Sequence, residues 1–206
     1  MKHSHSRTRV RVGCSGKLLP NCILLLLGFS AGMAKADNAA PELSSLPPAV
    51  LGTWKVKSVH VDLGSGRRMA YQWNDPDLVG NVITISDNEI VQNTPEAEQC
   101  LRPKVATWKT TASSLITVTM DARGIPSTSP TVKDYDLPLA PNGSVEAYAV
   151  QCNPGHFGPY QLKPARLKFG IKDIGTWIVV LPGGHLAVRW YDDSILILGK
   201  VKSTEK

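Results

Sequence analysis

Hydrophobic and polar residues alternate over short segments along most of the chain after residue 50. The segment 53–63 places Trp54 and Val56 on one face and then shifts phase near Ser58, so that Val59 continues the apolar set. Alternation with a period of two is typical of half-buried β-strands, and a phase shift of one residue indicates a bulge. The same pattern predicts further strands at 81–86, 89–92, 104–109, 114–120, 145–152, 166–172, 176–181, 186–191 and 195–198.

Turn-forming residues separate these strands. Pro182-Gly183-Gly184 and Asp192-Asp193 predict tight connections between the last three strands, and the Pro-, Ser- and Thr-rich segment 121–142 predicts a long surface loop. No segment after residue 36 keeps a helical period over about twelve residues. The sequence therefore predicts an all-β fold, a single antiparallel up-and-down β-barrel, with a two-sheet β-sandwich as the alternative.

The first 36 residues differ in composition from the rest of the chain. Basic residues precede an apolar run at 22–34, and Ala34-Lys35-Ala36 supplies a small-x-small cleavage pattern before Asp37. The run is shorter than the roughly 20 residues of a membrane-spanning helix. We therefore expect a signal peptide at 1–36, a flexible lead-in at 37–49 and the barrel domain at 50–206. The mature protein is expected in the periplasm or outside the cell, exported by the general secretory route, without an integral membrane segment.

The positive net charge of the chain belongs to this leader. The whole sequence has 23 Lys and Arg residues against 17 Asp and Glu residues, a formal charge of +6. Six of the basic residues and none of the acidic ones lie in the leader, which leaves 17 of each sign in the mature chain. A neutral domain with interspersed charges gives no electrostatic support for a nucleic-acid partner.

Two of the four cysteines, Cys14 and Cys22, also lie in the leader, which leaves Cys100 and Cys152. In an oxidising compartment these two are expected to form a disulfide that closes a loop of about 50 residues and stabilises the fold by roughly 4 kcal/mol. A metal site containing Cys152 and His156 is the alternative, but it needs further ligands that no spacing suggests. We expect no metal and no cofactor.

The loop 152–160 is the most distinctive candidate for binding. Two prolines and two glycines restrict its backbone, while His156, Phe157 and Tyr160 offer aromatic and titratable contact groups. Aromatic side chains on a rigid loop lose little entropy on binding, so these three residues are predicted to contact a partner. Alternatively, the loop is a stiff connector whose aromatic rings pack back onto the barrel.

The other residues with reactive or ligand-forming side chains are interpreted as structural. The chain has no Gly-x-Ser-x-Gly or His-Glu-x-x-His motif and no phosphate-binding glycine loop. His60 lies in a predicted strand and His185 in a predicted turn, where structural histidines are common. Tryptophans in predicted strands either fill the interior or line a ligand pocket, and the sequence leaves both open for Trp108, Trp177 and Trp190.

Two local patterns resemble the lipocalin and wider calycin proteins. Leu51-Gly52-Thr53-Trp54 resembles the Gly-x-Trp motif that opens their first strand, and Arg189 resembles the arginine that packs over that tryptophan. The resemblance implies a lipocalin-like barrel that is closed at one end by Gly52, Trp54 and Arg189. If the resemblance is set aside, Trp54 is an ordinary core aromatic residue and Arg189 is a charged surface residue.

These features together favour an exported, non-catalytic binding protein that holds a small apolar ligand or another protein. The alternative is a periplasmic inhibitor or immunity-type protein that blocks an extracytoplasmic protease or cell-wall hydrolase. An enzyme is a third interpretation, for which the sequence offers no recognisable catalytic constellation.

Overall fold

Nine antiparallel strands form one sheet in a computed structural model that describes residues 42–66, 69–120, 128–159 and 175–202. The leader, Tyr160 and the strand predicted at 166–172 lie outside these ranges. The strands are β1 Gly52–His60, β2 Val82–Ile85, β3 Glu89–Gln92, β4 Cys100–Leu101, β5 Lys104–Thr111, β6 Ser144–Gln151, β7 Trp177–Val180, β8 Leu186–Arg189 and β9 Ile195–Lys200.

The sheet is built from two meanders that are joined through the first and last strands. The strand order is β4-β3-β2-β1-β9-β8-β7-β6-β5, so every neighbour except the β1–β9 pair is consecutive in sequence. The sheet is strongly curled and barrel-like. The prediction of an all-β antiparallel fold is confirmed, and the described strands form a single sheet rather than the two layers of a sandwich.

The predicted bulge in β1 is confirmed. Pairing of β1 with β9 shifts register between Val56 and Ser58. Trp54, Val56 and Val59 are buried as a result, although the spacing changes from two residues to three. The bulge therefore keeps the apolar side chains of this long strand on the inner face of the curled sheet.

One edge of the sheet is joined to the segment that follows β6, at a place that we call the disulfide end. Edge strand β4 pairs with the segment that follows β6, because Cys100 bridges to Gly155 and the Asn153 amide donates to the Leu101 carbonyl at 2.7 Å. The predicted Cys100–Cys152 disulfide is confirmed, with a Cα–Cα distance of 5.1 Å. The Leu181–His185 turn lies at the other end of β7 and β8, and we call it the hairpin end.

Buried side chains form separate clusters on the two faces of the sheet. The inner cluster includes Trp54, Ile83, Phe157 and Trp190, and it fills the concave side. The outer cluster contains Trp177, with Trp108 packed against its margin. Trp190 therefore lies on the inner face and Trp108 and Trp177 lie on the outer face, in line with the alternating directions of strand residues.

The outer face is covered by a helix where a strand is predicted. Helix α1, Ala112–Thr119, begins at Thr111, whose side chain accepts from the Ser114 amide at 3.1 Å. Its buried residues Ala112, Leu115, Ile116 and Thr119 have helical spacing, and they pack on the sheet. The strand prediction at 114–120 is therefore wrong, because burial against the outer face outweighs the β-propensity of its branched residues.

Two segments that were expected to lie outside the core also pack against the sheet. The described part of the predicted surface loop, 128–142, contains a 3-10 helix, Val132–Tyr135, with both of these end residues buried in the outer cluster. Ahead of β1, Ser44 pairs with Val105 of β5 and Leu46 is buried. Within the described ranges, neither helix has the length and apolar character to cross a membrane.

Candidate functional site

The loop predicted to bind a partner lies at the disulfide end. The His156 amide donates to the Gln99 carbonyl at 3.0 Å, which fixes the loop beside β4. The His156 side chain forms an ion pair with Glu98, and both remain partly exposed. His156 is therefore partly exposed, and it is paired with an acidic residue that the sequence analysis does not single out.

Phe157 does not lie on the surface. Its side chain is 2% exposed, and its ring meets the edge of Trp190 with ring centroids 5.6 Å apart. The ring belongs to the inner cluster, in line with the alternative interpretation of this loop. The predicted contact residue Tyr160 lies outside the described residues.

Tyr191 is an aromatic residue at this end that is partly exposed, in contrast to Phe157. It follows β8 directly, in a 3-10 helix at Tyr191–Asp193, and its ring contacts Trp190 with centroids 5.4 Å apart. Burial, followed by the charges of Glu98 and Glu96, raises the pKa of Tyr191. The phenol therefore stays protonated beside two carboxylates and is able to donate a hydrogen bond.

Four polar atoms on Trp190 and on the segment 92–96 are buried without a hydrogen-bond partner among the described residues. They are Gln92 Oε1, Thr94 Oγ1, Glu96 Oε2 and Trp190 Nε1. Leaving such a group unsatisfied costs about 1–3 kcal/mol. We define the Tyr191 cluster as Tyr191, Trp190 in contact with its ring, the nearby carboxylates of Glu96 and Glu98, and His156, which pairs with Glu98.

The residues predicted to close the barrel are not brought together. Trp54 lies opposite Lys200, whose Nζ is 5.3 Å from the centre of a Trp54 ring, and an added Cβ on Gly52 would lie 3.1 Å from Lys200 Cε. Arg189 pairs with Ile195 at the other end of β9. It is buried, and its Nη2 donates to Asp193 Oδ1 at 2.8 Å. The cation over Trp54 is thus Lys200, because strand register keeps Arg189 at the disulfide end.

His60 forms a buried clamp between β1 and the 3-10 helix at Val132–Tyr135. Its Nδ1 is 2.5 Å from the Tyr135 carbonyl, its Nε2 is 2.9 Å from Ser58 Oγ, and its ring stacks on Trp73. A carbonyl only accepts, so Nδ1 donates to it and the neutral ring accepts from Ser58. A serine beside a neutral imidazole resembles a nucleophile and its base, but this ring is 8% exposed, and we interpret it as structural.

Because His60 is buried, we expect the stability of the fold to depend on pH. Burial lowers the pKa of His60, despite opposing contributions from the Tyr135 carbonyl and Asp136. The unfolded chain binds the proton more readily, so the free energy of unfolding is highest above the ordinary pKa of about 6.5 and falls as the pH drops below it. We expect His60→Gln to reduce the loss of stability between about pH 8 and about pH 5 in urea unfolding. An equal loss in His60→Gln and wild type would contradict this, and the exposed His185→Gln variant is the control.

The Tyr191 cluster brings together several polar and titratable groups. It combines two carboxylates, a protonated phenol and an imidazole around a buried indole. In the described ranges, no three or more His, Cys, Asp or Glu side chains are grouped so that they could hold a metal ion. Comparison with known proteins adds no assignment, since the chain matches no protein-family model, no curated protein and no solved structure.

Sequence reasoning identifies only part of this cluster. It selects His156 because the loop around it is rich in proline, glycine and aromatic residues. It misses Glu96, Glu98 and Tyr191, which come from two segments that are nearly one hundred residues apart. The one available signal is the Glu96-Ala97-Glu98 spacing just before a disulfide cysteine, because the disulfide fixes the position of whatever precedes it.

Proposed function

We propose that the chain is an exported, non-catalytic binding protein that holds another protein through the Tyr191 cluster. The observation that carries this proposal is the contrast between the two parts of the disulfide end. The concave side there is filled by large residues such as Phe157 and Trp190, each no more than 2% exposed. Beside them, carboxylates and a phenol remain partly open to solvent.

Of the two kinds of ligand that the sequence leaves open, a protein is better supported than a small apolar molecule. An apolar ligand needs a hydrophobic cavity, whereas the described inner face is occupied by the chain's own side chains. A protein needs anchors at its surface. Tyrosine with flanking charges is a frequent composition of interface hot spots.

The chemistry of the cluster favours a basic partner surface. Glu96 and Glu98 supply negative charge and partly exposed acceptor oxygens beside Tyr191. Lysine and arginine side chains supply the positive charge and the donors that such a site lacks. An inhibitor of an extracytoplasmic enzyme, such as a protease or a cell-wall hydrolase, is one form of this function.

The proposal keeps the lipocalin-like barrel but not its closure by Arg189 over Trp54. It is supported by the curled antiparallel sheet and by the position of Gly52 and Trp54 at the start of β1. The separation of Arg189 from Trp54 speaks for a more distant barrel relative. Export is supported by the leader and by a disulfide, which persists in oxidising compartments.

The test is retention of exported proteins on the immobilised mature chain, followed by affinity measurement for each retained protein. We expect at least one basic protein to be retained, with an affinity that falls as salt rises. Glu96→Gln combined with Glu98→Gln should weaken it by about tenfold or more.

The matched control is Glu89→Gln, which removes an exposed carboxylate at the first residue of β3. Equal affinities of the control and of the Glu96→Gln, Glu98→Gln variant would rule out the cluster as the binding site. Failure to retain any basic protein would count against the function itself.

A further inference from the structure

The edge strand β5 is covered by the chain along only part of its length. At its start, Val105 pairs with Ser44 through two backbone hydrogen bonds of 2.9 Å. The other edge strand, β4, is covered by the loop that contains Gly155. From Thr107 to Lys109, by contrast, no backbone group at the outer edge of β5 has a hydrogen-bond partner among the described residues.

The backbone groups at this free edge belong to Thr107 and Lys109. The Val105 amide and carbonyl both bond to Ser44, on the side away from β6. Residues two apart in an antiparallel strand turn their backbone groups in the same direction, so Thr107 and Lys109 also turn theirs away from β6. Each residue presents one donor and one acceptor at the edge.

The free part of β5 has few of the features that prevent the addition of another strand. It pairs with β6 without a register shift, so it contains no bulge, and its sequence contains no proline. Its one charged residue after Val105 is Lys109, whose Nζ lies 3.7 Å from Glu146 Oε1. Edge strands of natural proteins are usually covered, bent or charged. An edge without these features is suited to pair with a further strand.

The sequence of this edge is complementary to itself. When two copies of β5 pair antiparallel about Trp108, Thr107 of each copy lies opposite Lys109 of the other, and every outward backbone group of these two residues is bonded. Trp108 then lies opposite Trp108 of the second copy at a non-hydrogen-bonded position, where cross-strand side chains are closest. Trp108 is partly exposed at the margin of the outer cluster, so its ring has free surface for this contact.

Other registers of the same pairing are less favourable. Pairing about Lys109 places two lysines directly opposite each other, which is destabilising. Pairing about Thr107 requires the backbone groups of Val105, which are already bonded within the chain, and pairing about Thr110 leaves the groups of Thr107 unbonded. Because Glu146 compensates the charge of Lys109, this edge has no excess charge with which to attract an oppositely charged partner. The edge therefore fits a second copy of this chain.

We propose that two copies of this chain associate edge to edge through β5, about a two-fold axis at Trp108. The two sheets then form one continuous antiparallel sheet. The same surface is used by both copies, so the contact closes at a dimer and does not extend into a fibre. The contact consists of a few backbone hydrogen bonds and one aromatic pair, which is a small interface, and we expect a weak dimer rather than an obligate one.

Sedimentation velocity of the mature chain from about 1 μM to about 1 mM should show a concentration-dependent equilibrium between monomer and dimer. Thr107→Pro removes an outward N–H group while the hydrogen bonds to β6 remain, since proline is tolerated on an edge strand at such a position. It should raise the dissociation constant of the dimer by about tenfold or more. The matched control is Thr107→Val, which keeps the N–H group and the preference for a strand and should leave the dissociation constant unchanged.

A cysteine cross-link tests the register of the two strands. In the proposed dimer, Trp108→Cys places two thiols opposite each other, so mild oxidation should give a disulfide-linked dimer. Thr110→Cys is the control, because its two thiols are about 13 Å apart along the strands, beyond the reach of a disulfide.

Three results would overturn the proposal. They are a chain that stays monomeric up to about 1 mM, equal dissociation constants for Thr107→Pro and Thr107→Val, and equal cross-linking of Trp108→Cys and Thr110→Cys. A chain that stays monomeric but pairs with an added extended peptide at β5 counts as the first of these. The cross-linking comparison contains no proline variant, so it stays informative if Thr107→Pro disturbs the strand.

Discussion

Replacing Cys100 and Cys152 together with serine should lower the free energy of unfolding by about 4 kcal/mol. The bridge joins residues that are 52 positions apart in sequence. A cross-link of this span removes a large part of the conformational freedom of the unfolded chain, and the chain-entropy relation gives about 4 kcal/mol. For a chain of this size, we expect the melting temperature to fall by about 10 °C.

The same decrease in the free energy of unfolding should appear in the wild-type protein after reduction of the disulfide. A reductant should have no effect on the double variant. Urea unfolding of all three samples measures the difference. Because the bridge joins β4 to the end of β6, its loss should raise amide exchange first at the disulfide end. A change of less than about 1 kcal/mol would contradict the assigned role of the bridge, since native bridges typically contribute 2–5 kcal/mol.

Gly155→Ala should destabilise the same region by about 3 kcal/mol or more. Gly155 has a φ of 90°, where an L-residue is strained, and a Cβ there would lie 1.7 Å from the Gln99 carbonyl oxygen. The oxygen belongs to backbone that pairs with the loop, so it has no side-chain freedom with which to move away. The substitution must therefore push the loop from β4 and break the pairing around Cys100.

Gly184→Ala is the matched control, because Gly184 has a φ of 76° with nothing within 4 Å of the added Cβ. It isolates the cost of the backbone conformation, about 1 kcal/mol. Chemical unfolding of both variants gives the comparison. Equal losses in the two would show that the loop does not approach β4 closely.

Local patterns in the sequence predict most of the strands because alternation is a local property. The strand at Glu89–Gln92 and the turn at Pro182-Gly183-Gly184 follow directly from neighbouring residues. The disulfide is equally easy to predict, since Cys100 and Cys152 are the two cysteines that follow residue 36. Helix α1 is missed, because its fold depends on packing against an outer sheet face that no local pattern reveals.

The candidate site is harder to predict for the same reason. Arg189 and Trp54 both occupy the strands expected of them, but the register of β9 places them at opposite ends. Phe157, which is predicted at the surface, lies in the core, whereas Tyr191, which is not predicted as a site residue, is partly exposed. The path of each loop in the fold decides this, and no local pattern shows that path. Glu96, His156 and Tyr191 meet only in three dimensions, through the disulfide and the pairing of β4 with the loop after β6.

Amide hydrogen exchange of the chain, with and without a retained basic protein, tests the central claim most directly. If the Tyr191 cluster holds the bound protein, exchange should slow in residues 93–99 and in Tyr191–Asp193. The Leu181–His185 turn at the hairpin end should exchange as before. Protection confined to the hairpin end, or spread over the inner strands without a change at 93–99, would contradict the account.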